Sequence, residues 1–234
     1  LRATALRHGI TLDIHTPPYG QALAALMDPS SALRGFGADM ALVAETPESL
    51  GLTTQHVDPE AGQAAVRRAT ATLTAMVEAA QSAGVRTVIL QTLVPSADPW
   101  TGHFDVRAEG SAAAQVAAVN AAMAALCDSH AAVLFDVYSL AALVGRAAWR
   151  DMGLWHRAKV PFALDFMPLY AEKSCQLLRA LRGRAAKCLV LDLDNTCWGG
   201  VIGDDGLEGI QIGQGSAQGE AFLAIQTYAL SLKA

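Results

Sequence analysis

Two carboxylates two residues apart, Asp192 and Asp194, follow the apolar run Cys188-Leu189-Val190-Leu191. Alternate residues of an extended strand project to the same side, so a strand carrying this pattern would aim both acids one way from its end. The carboxyl ends of parallel strands are where open α/β sheets gather their ligands. Two close like charges repel unless something neutralises them, and a cation between them does so. Mg2+ suits the role, because it accepts few carboxylates and keeps waters and phosphate oxygens as its remaining ligands. The plainer alternative is an Asp- and Asn-rich turn facing solvent.

Beyond Thr196 the chain reads Cys197-Trp198-Gly199-Gly200-Val201-Ile202-Gly203-Asp204-Asp205-Gly206. So many glycines permit a tight hairpin flap over residues 197–213, with Trp198, Gly199 and Gly200 at its base. Trp198 is read either as a stacking wall of a site or as ordinary core packing.

The elements that must position these residues follow from the rest of the sequence. With 52% hydrophobic and 17% charged residues, the chain is expected to pack a real core and not to be a disordered polyelectrolyte. A net charge of -5 gives no electrostatic reason to expect nucleic acid or an anionic membrane as partner. No apolar run approaches the roughly 20 residues of a membrane helix, and no signal-peptide core opens the chain, so a cytoplasmic protein is expected. The four cysteines form no CxxC pair, which suggests neither a zinc site nor a disulfide framework.

Short apolar runs alternate with Ala-rich helical segments, the pattern of β-α repetition around a parallel sheet. Strands are predicted at residues 11–15, 39–44, 85–91, 132–136 and 188–193. Helices are predicted at about 59–82, 112–128, 166–181 and 216–232. Asp58-Pro59-Glu60 supplies an N-cap, a first-turn proline and an acidic first turn, and Gly84 supplies a stop. The short basic segment at 181–187, with its glycine, is read as a boundary between an α/β domain at 1–182 and the beginning of another at 187–234.

The Asp192–Thr196 run DLDNT resembles the DxDx[TV] first motif of haloacid-dehalogenase (HAD) phosphotransferases, and the following WGGVIGDDGLEGI resembles the FkbH-like branch, subfamily IIIC. The resemblance implies Asp192 as nucleophile forming an aspartyl-phosphate and Asp194 as acid and then base. It implies phosphate binding by Leu193, Asp194 and Thr196, and Mg2+ held by the Asp192 carboxylate and the Asp194 main-chain carbonyl. FkbH-like proteins are glyceryl transferase/phosphatases that take 1,3-bisphosphoglycerate and load a glyceryl thioester on an acyl carrier protein in polyketide-type biosynthesis. A plain phosphatase of a small phosphorylated metabolite and a carrier-docking module without activity are the alternatives. Transfer to a carrier thiol makes Cys197 a candidate way-station; an apolar filler is the other reading.

The same resemblance implies an N-terminal SGNH-hydrolase-like (flavodoxin-like) parallel-sheet domain, followed by the first β-flap-α unit of a HAD-like Rossmannoid domain. PYGQ at 18–21, VILQT at 88–92 and LWHRAKVPF at 154–162 carry it. The strand bearing an SGNH serine would precede Leu1, and the later HAD motifs would lie beyond Ala234. The chain is therefore expected to be truncated at both ends and inactive alone. His156 and Asp151 are weak candidates for the late SGNH pair, their spacing departing from DxxH; a structural histidine is the alternative. The N-terminal domain is expected to be a scaffold or docking module, and the polar segment from Ser96 to Gly110, with Pro99, Trp100 and His103, a surface loop.

Overall fold

A computed structural model describes all residues except 96–98, 100 and 234, together with all side chains of these residues except that of Val106. Ser96 and Trp100 of the predicted loop lie outside the described residues. Two compact units are present, Leu1–Arg179 and Ala180–Ala234.

The first unit is built on a three-stranded parallel sheet in the order β1 (Met40–Val43), β2 (Thr87–Gln91), β3 (Val133–Phe135). Parallel neighbours need crossovers, and two helices supply them. Pro59–Ser82 begins where Asp58 accepts a hydrogen bond from the Glu60 amide at 3.0 Å and Pro59 fills the first turn, and Gly84 follows it at φ 89°. Ala65, Ala69, Leu73, Met76, Val77 and Ala80 recur at helical spacing and are buried. Ala112–His130 starts on a Ser111 cap and buries Val116, Val119, Met123, Leu126 and Cys127. These faces share one core with Val43, Val88 and Leu90 of the strands, so the α/β parallel-sheet class is as the sequence indicates.

Two predicted strands do not form. Residues 11–15 make no ladder: Ile10 is buried with Ala5 and Cys175, Leu12 packs against them, and the Ile14 carbonyl accepts from the Arg2 guanidinium at 3.2 Å. Apolar residues here found a core without a neighbouring strand. Residues 188–193 likewise have no partner strand among the described residues, and Leu189 and Val190 stand 50% and 87% exposed. A strand is defined by its neighbours, and an apolar run without them stays an unpaired segment. The segment predicted as one helix at 166–181 is a 3-10 turn at Leu164–Phe166 followed by the helix Met167–Leu181. Part of the segment predicted as a loop after β2 is ordered as a 3-10 turn, Gly102–Val106. That segment closes where Gly110 accepts from the His56 amide at 2.8 Å, in a spot where a Cβ would overlap the His56 carbonyl.

In the second unit, Ala217–Ser231 is capped by Ser216, whose hydroxyl accepts from the Gly219 amide at 3.0 Å. Ahead of it the predicted hairpin is instead the short helix Ile202–Gly209, interrupted at Gly206 (φ 66°). Its β character among the described residues is limited to two isolated bridges, Asp194 with Trp198 (parallel) and Gly199 with Gln211 (antiparallel). The physical reason is Asp205, whose carboxylate reaches back to the Val201 amide at 2.8 Å and satisfies a first-turn donor.

Candidate functional site

Asp192 is exposed, and its Oδ1 accepts a local hydrogen bond from the Leu193 amide at 2.8 Å. No other side chain among the described residues pairs with it. Asp194 is half-buried and held differently. Its Oδ1 accepts from the Trp198 indole N–H at 3.0 Å and from the Ile202 amide at 3.2 Å. The two acids therefore sit in unlike surroundings: one open and weakly tied, one gripped by the glycine-rich segment that follows.

Asn195 between them and the glycines carries the turn. It adopts the left-handed conformation at φ 52°, which asparagine tolerates better than most residues. Its side-chain oxygen accepts from the Gly200 amide at 2.9 Å while its own amide donates to the Gly200 carbonyl at 3.3 Å. Gly200 must be glycine on two counts: φ is 97°, and a Cβ would lie 2.8 Å from Asp205 Oδ2. Gly199 exchanges two hydrogen bonds with Gln211, at 2.9 and 2.8 Å, and a Cβ there would press on the Phe222 ring at 2.9 Å.

Cys197 is buried. Its amide donates to the Leu193 carbonyl at 2.8 Å, its thiol faces the Asp192 carbonyl at 3.5 Å, and its carbonyl accepts from Gln226 Nε2 at 2.6 Å. Thr196 is half-buried, with its amide on the Leu193 carbonyl at 3.2 Å, and Leu193 is exposed. Sequence reasoning missed Asn195, Asp205 and Gln226 as the groups that shape this segment. Asn195 could have been found, since asparagine is one of the few residues besides glycine that tolerates a left-handed turn position.

Among the described residues no three His, Cys, Asp or Glu side chains come together as a metal cage. The donor open to a cation is the exposed Asp192 carboxylate, a hard oxygen ligand. Such a ligand fits an ion such as Mg2+, which takes few protein oxygens and retains waters.

In the first unit, Asp151 and His156 are not brought together. The Asp151 carboxylate caps the helix Met152–Ala158 by accepting from the Leu154 amide at 3.0 Å, and His156 lies exposed on that helix. At the carboxyl edge of the sheet the polar groups are tied to one another. Gln91 accepts from the Tyr170 hydroxyl at 2.6 Å, Thr92 donates to Asp136 at 3.2 Å, and Glu48 pairs with Arg150. Burial pushes the Asp136 carboxyl up, but the hydrogen bonds from Ser139 and Thr92 outweigh it and hold the group below the usual carboxylate range. Among the described residues at this edge, no serine or cysteine hydrogen-bonds a histidine. No described helix is long and apolar enough to cross a membrane.

The sequence model described as the FkbH N-terminal domain matches residues 1–179. Comparison with curated proteins gives no match. Among solved structures, the N-terminal part of a Bacteroides fragilis protein, containing its phosphatase domain and complexed with Mg, superimposes with a TM-score of 0.87 at 24% identity. The match covers 99% of this chain and 61% of that one, so the chain spans about three-fifths of the similar structure, and at that identity the likeness is one of fold.

Proposed function

We propose, from the premise that this chain belongs to the FkbH N-terminal-domain family, that it serves a Mg2+-dependent phosphotransferase and acyl transferase. In this reading residues 1–182 form a scaffold or docking module and residues 187–234 open the phosphotransfer domain. The substrate is 1,3-bisphosphoglycerate, the acceptor the thiol of an acyl carrier protein, and the compartment the cytoplasm. The observation that carries the reading is the unlike treatment of the two acids. A nucleophile has to be accessible, and Asp192 is; a proton carrier has to be held, and Asp194 is.

The Asp192 carboxylate attacks the phosphorus of the phosphate ester, whose oxygen departs as the alcohol while the phosphoryl group passes to Asp192. The acyl phosphate is kept for the carrier thiol, which bonds to the acyl carbon and displaces inorganic phosphate to give the thioester. Asp194 directs the proton traffic at the leaving oxygen and at the water that later frees phosphate. Asp192 and the Asp194 carbonyl would hold Mg2+, which supplies neutralisation of the phosphoryl oxygens when bound. The indole N–H of Trp198 donates to Asp194, which supports a role for this side chain at the site beside any packing by its ring.

The test is to give the complete gene product Mg2+, 1,3-bisphosphoglycerate and a pantetheinylated carrier protein. Expected are release of phosphate and a glyceryl mass increase on the carrier. Phosphate release without carrier acylation would reduce the protein to a phosphatase, and binding of the carrier with neither reaction would reduce it to a docking module. Glyceryl-enzyme formation that survives Cys197→Ala would remove the thiol way-station.

A further inference from the structure

Asp194 Oδ1 receives two donors, and both come from the segment just downstream: the Trp198 indole N–H at 3.0 Å and the Ile202 amide at 3.2 Å. The terminal torsion of an aspartate is broad and nearly two-fold, so a carboxylate left to itself presents either oxygen in many directions. Two donors converging on one oxygen remove that freedom. They fix which oxygen faces the protein and leave Oδ2 outside both hydrogen bonds.

The donors also suit a group that must give up a proton and take it back. In the protonated acid, Oδ1 is the carbonyl oxygen and accepts both N–H groups while Oδ2–H donates. In the carboxylate, Oδ1 accepts the same two. No bond on the protein side has to break as the proton comes and goes. An indole N–H is a donor only, so unlike a tyrosine hydroxyl or an imidazole it neither accepts the proton nor offers it elsewhere.

The indole is braced to do this. On one side of Trp198 the Cys197 amide and carbonyl are tied to Leu193 and Gln226, and on the other Gly199 is bridged twice to Gln211 and packed under Phe222. A ring on such a segment is a rigid support, and rigid supports are what hold reacting groups in productive geometry.

We propose that Trp198 is a positioning residue that acts through Asp194, holding Oδ1 so that Oδ2 meets the leaving oxygen. This rests on the phosphotransferase reading. In the first half-reaction the bond between phosphorus and the ester oxygen breaks as Asp192 bonds to phosphorus, and the Oδ2 proton moves to the departing oxygen to give the alcohol. In the second, water attacks the phosphorus of the aspartyl-phosphate and its proton returns to Oδ2, releasing phosphate and restoring both acids.

The test compares two phosphate esters in the complete gene product: an alkyl phosphate, whose leaving oxygen needs a proton, and p-nitrophenyl phosphate, whose leaving oxygen hardly does. Position 198 is occupied by tryptophan, by phenylalanine, or by 3-benzothienylalanine, which keeps the ring volume without the N–H and covers the case in which phenylalanine disturbs folding. General acid assistance is worth roughly 10²–10⁴-fold, and losing its alignment should forfeit about 10- to 100-fold in kcat on the alkyl ester with little change in KM. The loss on p-nitrophenyl phosphate should be smaller by about tenfold. In a 15N spectrum of the same protein, the Trp198 indole N–H signal, identified by its loss in Trp198→Phe, should move on Asp194→Ala while the other indole signals stay. Equal losses on both esters, a loss confined to KM, or an indole signal indifferent to Asp194→Ala would overturn the proposal. A wild-type protein that hydrolyses neither ester would sink the phosphotransferase reading, and the indole signal would still report separately whether the contact exists.

Discussion

Alanine at position 200 tests how the segment that grips Asp194 is itself held. Gly200 sits at φ 97°, outside the range an L side chain adopts comfortably, and forcing one there costs on the order of 1–3 kcal/mol. Its new Cβ would also lie 2.8 Å from Asp205 Oδ2, the oxygen that accepts from the Val201 amide. Displacing that carboxylate gives up a hydrogen bond worth about 1 kcal/mol. Together these give a local cost of about 2–4 kcal/mol, and at 1.4 kcal/mol per factor of ten that is roughly 30-fold to several hundred-fold in the opening equilibrium. Hydrogen exchange at the Gly199 and Gln211 amides, which bridge the base of this segment, should accelerate by that factor in Gly200→Ala. Gly203→Ala is the control. Nothing lies within 4 Å of its Cβ position, it lies in the helix Ile202–Gly209, and the substitution should be neutral or stabilising by up to about 1 kcal/mol. Unchanged exchange in Gly200→Ala, or equal acceleration in Gly203→Ala, would refute this account of the flap.

Trp149 is buried and stacked on Phe162 at 4.7 Å and Phe166 at 5.8 Å, so Trp149→Ala should cost about 3–5 kcal/mol in urea unfolding; a cost near zero would mean the stack is not formed. Burial pushes the Tyr170 hydroxyl up to about 12 from an unfolded value near 10. The folded state thus keeps a proton that the unfolded state releases, so this group's contribution is whole below pH 10 and is lost as pH rises toward 12. Tyr170→Phe should accordingly show a shallower alkaline loss of stability than the wild type, and parallel curves would contradict the burial. Arg150 and Glu48 form a largely buried pair, with the Arg150 guanidinium also over the Trp155 ring at 5.2 Å. Arg150→Met should cost about 3–5 kcal/mol by removing the counter-charge of a largely buried carboxylate, and most of that should return in the double variant with Glu48→Gln. A double variant no better than the single would show that the pair is not the source.

Elements whose causes are local were legible in the sequence. Pro59–Ser82 was readable at both ends because its cap, first-turn proline and terminal glycine act within a few residues of themselves. The parallel α/β class was readable because β1, β2 and β3 are apolar runs separated by helices long enough for crossovers. Strands at 11–15 and 188–193 were not, because a strand exists only through its neighbours: Ile10 and Leu12 pack on Ala5 and Cys175, and residues 188–193 pair with no described segment. The flap misled for a different reason. Its glycines suggested a hairpin, whereas the reach of Asp205 to the Val201 amide starts a helix, and one side-chain bond outweighs a compositional trend. At the site, the types and spacing of Asp192 and Asp194 suggested the chemistry proposed above. That Trp198 serves Asp194 depends on the left-handed turn at Asn195 and the Gly199–Gln211 bridge, which only the folded chain displays.

The most direct measurement of the central claim is acid quenching of the complete gene product during turnover with Mg2+ and a phosphorylated substrate, followed by peptide mapping. A phosphoryl group should appear on the peptide containing Asp192, be discharged by hydroxylamine as acyl phosphates are, and be absent from Asp192→Asn. Turnover that leaves the Asp192 peptide unmodified, or a phosphoryl group that persists in Asp192→Asn, would contradict the account.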